Sequence, residues 1–323
     1  MDLQYLLFLQ EIRERLPLCV EKFFAFASAL TVNPFLYVIP FIIYWSVDKR
    51  KGQIFMTAVW LGNILNSLAK LSVCCYRPWI RSAAIHPSTH TIKGATGYSF
   101  PSGHTTNVTA FFGTLGWLYK NRSRALFAAC CAFIALVAFS RNYLGVHTAQ
   151  DVIFGIGLGI LSTWLAIKFV EWTEANTDKD AQALFLALGI VALIFIYYVF
   201  KNYPRDYKAD GSLLVDPKRM MKSGLKDCGY ISALAIGWFV ERRFVNFSTD
   251  IKTPERIARA LIGAALMGLC FFGISPIVAK PLNFYLANYV KGFLTVAPGA
   301  LFAPLLFKPL AALFEKKSKA GQA

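Results

Sequence analysis

Long apolar runs separated by short charged clusters constrain this 323-residue chain more than any other feature. Hydrophobic residues make up 56% of it and charged residues 16%, too few to cover the surface of a water-soluble domain. A helix crossing a bilayer core takes roughly 20 apolar residues. Within that core every backbone N–H and C=O must be paired inside the protein. The sequence therefore predicts an all-α protein, a multi-pass transmembrane helical bundle of about nine spans. The expected spans are 26–47, 53–74, 104–119, 125–143, 149–170, 181–200, 229–245, 256–279 and 284–310. Asn33-Pro34 predicts a kink in the first, and Pro276, Pro281, Pro298 and Pro304 interrupt the last two.

Charge then orients the bundle. The net charge is +16, and its clusters flank apolar runs. Lys49, Arg50 and Lys51, then Lys120, Arg122 and Arg124, then Arg242 and Arg243, then Lys316, Lys317 and Lys319 all fall on one side of a nine-span chain. The positive-inside rule makes that side, and the C-terminus with it, cytoplasmic. The basic excess is thus read as topology marking, with no nucleic acid as partner. One loop runs against the rule. Residues 201–228 carry seven Lys or Arg and four Asp, yet the count places them outside. Either a span is miscounted or these charges act there, for instance on anionic headgroups; a merely solvated loop is the simpler alternative. The seven cysteines are odd in number and include no C-x-x-C, which argues against a disulfide framework or a zinc site. By organisation, residues 1–25 read as an N-terminal amphipathic segment, 26–172 as a core with five spans, and 173–323 as an extension with about four more.

The chemistry-bearing residues lie between 70 and 151. Lys70 precedes Arg77-Pro78 by six residues; Pro101-Ser102-Gly103-His104 follows; Ser140-Arg141 is then followed by His147 and, four residues on, Asp151. Each has an ordinary explanation alone: snorkelling cations, a turn and helix cap, a structural histidine. Topology argues for more. The first two motifs share one loop, and the third begins two crossings later, hence on the same side. Clustered ionisable groups at membrane depth point to function. Lys70, Arg77 and Arg141 suit a clamp on phosphate oxygens. Ser102 and the Gly103 N–H stand at a helix N-terminus that favours an anion. His147 and Asp151 share one helical face if the fifth span starts early, and a carboxylate on one ring nitrogen leaves the other free to attack phosphorus. His104 is left to protonate the leaving group.

K-x6-RP, PSGH and SR-x5-H-x3-D in this order resemble the signature of the type-2 phosphatidic acid phosphatase family, whose site is shared with vanadium haloperoxidases and class A bacterial acid phosphatases. The resemblance covers about residues 30–172. It implies a metal-independent phosphatase without cofactors, with a phosphohistidine intermediate on His147. It also implies a phosphorylated lipid as substrate, membrane lipids as surroundings, and an active site facing periplasm, exterior or lumen. Tyr44-Trp45-Ser46-Val47-Asp48-Lys49-Arg50 and Phe100-Pro101-Ser102-Gly103-His104 are similar to the sphingosine-1-phosphate phosphatase branch, and the span count resembles glucose-6-phosphatase. Asp151 favours the lipid-phosphatase form of the third motif. The alternatives are a phosphatase for a soluble sugar phosphate, a lipid phosphotransferase, and an inactive transporter or lipid-binding protein. The sequence leaves open which ester is cleaved and the oligomeric state, and it assigns residues 173–323 no function.

Overall fold

The computed structural model describes residues 2–310 other than 93, 96 and 308. In chain order, α1 (Asp2–Arg15) and α2 (Leu18–Leu30) are separated at Pro17, and α3 (Ile39–Ser46) follows a 3-10 turn at Pro34–Val38. The expected kink at Asn33-Pro34 is in fact a break. Proline supplies no N–H to the preceding turn, and the helix ends before it. α4 (Lys49–Val73) starts at Asp48, whose Oδ1 accepts from the Lys51 N–H at 2.9 Å. The short α5 (Pro78–Arg81) and α6 (Thr89–Ile92) lie in the next loop. α7 (Gly103–Val108), a π turn and α8 (Thr114–Tyr119) form one helical stretch, followed by α9 (Arg124–Tyr143), α10 (Ala149–Ala175) and α11 (Asp180–Phe200). After a loop come α12 (Pro217–Val240), α13 (Thr253–Leu269), α14 (Ser275–Ala279) and α15 (Phe284–Ala297). No β-strand occurs among the described residues, so the fold is all-α.

Among the described residues, seven helical segments are long and apolar enough to cross a membrane: Leu18–Ser46, Lys49–Arg81, Arg124–Tyr143, Ala149–Ala175, Thr177–Phe200, Thr253–Ala279 and Phe284–Phe307. The stretches 103–119 and 217–245 occupy the places of the third and seventh expected spans. The basic cluster Lys316, Lys317 and Lys319, and with it the side of the C-terminus, lies outside the described residues.

The chain forms two compact units, residues 1–36, 58–167 and 200–224 in one, and 37–57, 168–199 and 225–323 in the other. The first carries all three motifs. In it α2 packs along α9, and Tyr143, Leu144 and Val146 bury against Ile12, Val20, Phe24 and Trp79. In the second, the Tyr44-Trp45-Ser46 segment is a packing element. Trp45 Nε1 donates to Gly299 O at 2.9 Å, and Ser46 Oγ to Arg256 O at 3.0 Å. A Cβ at Gly263 would fall 2.3 Å from the Trp45 ring, so the indole needs the space that glycine leaves. Lys49 closes on the buried Glu241 at 2.6 Å.

Candidate active site

Of the first motif, Lys70 lies in the last turn of α4, and Arg77 and Pro78 stand at the start of α5. Lys70 Nζ donates to three carbonyls, Tyr98 O and Ser99 O at 3.2 Å and Pro101 O at 2.6 Å. Its ammonium thus holds the extended segment that leads into the second motif. One turn earlier Asn66 Nδ2 donates to Thr106 Oγ1 at 2.9 Å. Ser102 caps α7: its Oγ accepts from Thr105 Oγ1 at 2.9 Å and from the Thr105 N–H at 3.4 Å, which leaves its own hydroxyl proton available to a ligand. An added Cβ at Gly103 would meet Asn66 Oδ1 at 3.6 Å, an ordinary contact, so packing does not demand glycine there.

The third motif is assembled by a helix cap. His147 precedes α10 instead of sharing a helical face with Asp151. Thr148 and Asp151 form a capping box, in which Asp151 Oδ2 accepts from the Thr148 N–H at 2.9 Å and Thr148 Oγ1 accepts from the Asp151 N–H at 3.4 Å. That box turns the carboxylate back towards residue 147, and His147 Nδ1 lies 3.3 Å from Asp151 Oδ2. Ser99 Oγ donates to the same oxygen at 2.5 Å, and the Ser102 N–H donates to Asp151 O at 2.9 Å, joining the second motif to the third.

The glycines that follow complete the placement. Gly155 and Gly159 continue the Asp151 face of α10 at four-residue steps. A Cβ at Gly155 would lie 2.9 Å from Ser102 O, and one at Gly159 would lie 2.5 Å from Thr109 Cβ. α10 therefore meets the α7 stretch backbone to backbone, as small residues allow in membrane helices.

The cations close around the imidazole. Arg77 Nη1 lies 2.9 Å from His147 Nε2 and donates to Val146 O at 2.8 Å, while its Nε donates to Gly97 O at 3.2 Å. Arg141 donates through Nη1 to Ser28 Oγ, and its Nε is buried without a protein partner. Asn142 Nδ2 holds His147 O at 2.9 Å. His104 lies within electrostatic reach of Arg141, His147, Arg77 and Lys70. His147, in the turn between two spans, is held well below the ordinary imidazole value, first by burial and then by Arg77, Arg141 and Lys70. It is therefore neutral at pH 7. With Asp151 on Nδ1, the lone pair sits on Nε2.

All eight predicted site residues thus lie in one compact unit. His86 and His90 remain on the exposed part of the joining loop, where Gln10 Oε1 accepts from the His86 N–H at 2.8 Å. Among the described residues, no group of three or more His, Cys, Asp or Glu side chains gathers to hold a metal. Sequence reasoning missed Ser99, Thr148, Asn66 and Ser28. Thr148 was legible as a Thr-x-x-Asp cap; Ser28, more than a hundred residues from its partner Arg141, gave no local signal.

Residues 52–175 match the PAP2 superfamily, and residues 225–316 match the transmembrane extension of PAP2 superfamily phosphatases. The chain belongs to the PAP2 superfamily. Among its relatives are lipid phosphate phosphatase delta of Arabidopsis thaliana, 26% identical over 55% of this chain and 45% of the relative. Sphingosine-1-phosphate phosphatase 2 of Mus musculus is 25% identical over 59% and 54%. Lipid A 4'-phosphatase of Porphyromonas gingivalis is 26% identical over 50% and 72%. The chain spans about half the length of the first two. No solved structure gives a significant match. The protein is thus a multi-pass membrane protein of the PAP2 superfamily, similar to proteins named as lipid phosphatases.

Proposed function

We propose that this protein hydrolyses a lipid phosphomonoester through a phosphohistidine on His147, on the non-cytoplasmic face of its membrane. The observation that carries the reading is the state of one imidazole: Asp151 on Nδ1, Arg77 at Nε2, and a neutral ring. Nε2 attacks phosphorus in line, and the P–O bond to the lipid alkoxide breaks. His104, protonated once the negative charge of the bound phosphate offsets the surrounding cations, gives that oxygen its proton. Water then attacks the phosphohistidine, His104 takes the water proton, and inorganic phosphate leaves with His147 restored. Arg77 and Arg141 meet the nonbridging oxygens, joined by the Ser102 hydroxyl and the N–H groups at the start of α7. Lys70 adds its charge while its protons hold the 98–101 segment. The matches to sphingoid-phosphate phosphatases run longer along this chain, 205 residues for the mouse relative against 153 for phosphatidylglycerophosphatase B of Bacillus subtilis, so sphingoid phosphates lead the substrate panel.

Purified protein, assayed for phosphate release against sphingoid, glycerolipid, isoprenyl and sugar phosphates, tests the reading. Activity on lipid phosphates that survives EDTA and is blocked by orthovanadate is expected, because vanadate on His147 mimics the pentacoordinate transition state. Release from the sugar phosphate alone, or activity lost to EDTA and restored by magnesium, would replace it.

A further inference from the structure

Residues 200–224 lie between the two stretches that match the superfamily, yet they fold into the same compact unit as the site. Three contacts tie them to the backbone around Arg77. Lys201 Nζ donates to Ser72 O at 2.6 Å, at the end of α4, where carbonyls lack helical partners and a cation is favoured. The Tyr76 hydroxyl donates to the Asp206 carboxylate, one residue from Arg77. The Tyr98 N–H donates to Met220 Sδ at 3.2 Å. Around these contacts Tyr203, Val215 and Met220 pack with Cys74, Tyr76 and Tyr98 in one apolar cluster.

The path from this cluster to the imidazole is short. Gly97 has φ +87°, and a Cβ there would lie 1.8 Å from Met220 Sδ, so only glycine lets the methionine seat against that backbone. The Gly97 carbonyl accepts from Arg77 Nε at 3.2 Å, and Arg77 Nη1 is 2.9 Å from His147 Nε2. Arg77 is 6% exposed, and Gly97 O fixes its Nε while Val146 O and His147 Nε2 meet its Nη1. We propose that the 200–224 segment is a built part of the active site, a collar in which Met220 positions Arg77 through Gly97 while the Tyr76–Asp206 pair holds the adjoining turn. The inference rests on the reading of Arg77 as a phosphate ligand; Met220 is a positioning residue and touches no reacting atom.

Full-length Met220→Ala, Met220→Leu and Tyr76→Phe, compared with wild type, test it by two readouts. One is kcat and KM on a lipid phosphate. The other is the rise in Tm caused by orthovanadate, which reports the anion site without turnover. Met220→Ala is expected to lose roughly ten- to hundredfold in kcat, as small misplacements of a positioned group do, with a KM within about threefold of wild type and a reduced vanadate response. Met220→Leu, which refills the volume, should recover most of both; Tyr76→Phe should lose less than Met220→Ala. Wild-type kcat and vanadate response in Met220→Ala would overturn the collar. So would a loss of activity that only follows a loss of folded protein. Should Met220→Ala fail to fold, Tyr76→Phe decides, and unchanged kcat and vanadate response in it count against the proposal. A wild type that binds vanadate but releases no phosphate removes the phosphatase reading and leaves the collar to the Tm data. A wild type that does neither removes both.

Discussion

His147 is fixed at both ring nitrogens, by Asp151 Oδ2 at 3.3 Å and Arg77 Nη1 at 2.9 Å, whereas His104 stands in the first turn of α7 near the same cations. The roles proposed for them predict different failures. His147→Ala should cost at least about a thousandfold in kcat with folding intact, since it removes the attacking atom. His104→Ala should fail on alkyl phosphates yet retain turnover of p-nitrophenyl phosphate, whose leaving group needs little protonation. Equal losses on both substrates would remove His104 from the acid role. The acid limb follows from the depressed His147 value. A folded-state value below the unfolded one of about 6.5 means that the ring stays unprotonated at neutral pH. Activity is then lost as pH falls through the folded value, whereas the stability linked to this group is lost from the unfolded value of about 6.5 down to the folded one. An NMR titration of histidine-labelled protein, with the resonance assigned by its absence in His147→Ala, should show a midpoint below the ordinary imidazole value of about 6.5; a midpoint at or above it would contradict the depressed state. These residues were legible because each stands in a short motif of fixed spacing. Ser99 and Ser28 were not, because a hydroxyl that orients a charged group at long range looks like any other serine.

At the scale of elements, helices are easier to read from this sequence than the joints between them. The spacing puts His147 and Asp151 on one helical face, but a capping box at Thr148 brings them together from either side of a helix start. The chain therefore sets Nε2 at the end of a turn, buried beside Arg77, and keeps Asp151 in the first turn of α10. The Asp151, Gly155, Gly159 stripe has a four-residue period that could have been read as a contact face, yet glycines in an apolar run carry no signal of what they approach. Two glycine substitutions should separate packing from chemistry. Gly159→Val must push apart backbones whose added Cβ would sit 2.5 Å from Thr109 Cβ, at about 1–3 kcal/mol or more. Gly103→Ala meets an ordinary 3.6 Å contact and should fold like wild type. Its methyl group instead intrudes where a phosphate approaches the N–H groups of α7, so kcat/KM should fall about tenfold or more. Thermal unfolding and kinetics on both variants check this, and a Gly103→Ala enzyme of full activity would show that the glycine is not reserved for the ligand.

At the scale of the whole chain, contacts within each unit decide the parity of crossings. Gln10 meets Ala84, Arg13 meets Tyr143, the Ser88 N–H meets Leu144 O, and Lys201 meets Ser72, so residues 10, 72–98, 143–148 and 201 share one face. Lys49 meets Glu241, Arg50 meets Glu174 and Arg242 meets Asp180, so residues 49–50, 174–180 and 241–242 gather at one end of the second unit. The proposed nine-span topology takes the short 103–119 stretch and α12 as crossings too, with α9 returning the chain to Leu144. Neither is among the seven long apolar segments: the first is short, and the apolar run of the second is bounded by Lys226 and Asp227 on one side and Glu241, Arg242 and Arg243 on the other. Counting both gives nine. The 201–228 loop that runs against the positive-inside rule packs against the site loop through Tyr203, Val215 and Met220, and the proposed topology keeps the two on one side. In the proposed topology Lys49, Arg50, Lys51, Lys120, Arg122 and Arg124 mark the cytoplasmic face and the site lies opposite. Single cysteines at the exposed positions Ala84 and Lys208, in a background without the seven native cysteines, should react with an impermeant maleimide on intact cells or sealed, correctly oriented vesicles. Cysteines at Arg122 and Asp250 should react only after permeabilisation. Labelling of Ala84 and Lys208 on opposite sides would break the parity argument itself. Labelling of both only after permeabilisation would keep the nine crossings, invert the orientation, and move the substrate pool to the cytoplasmic leaflet.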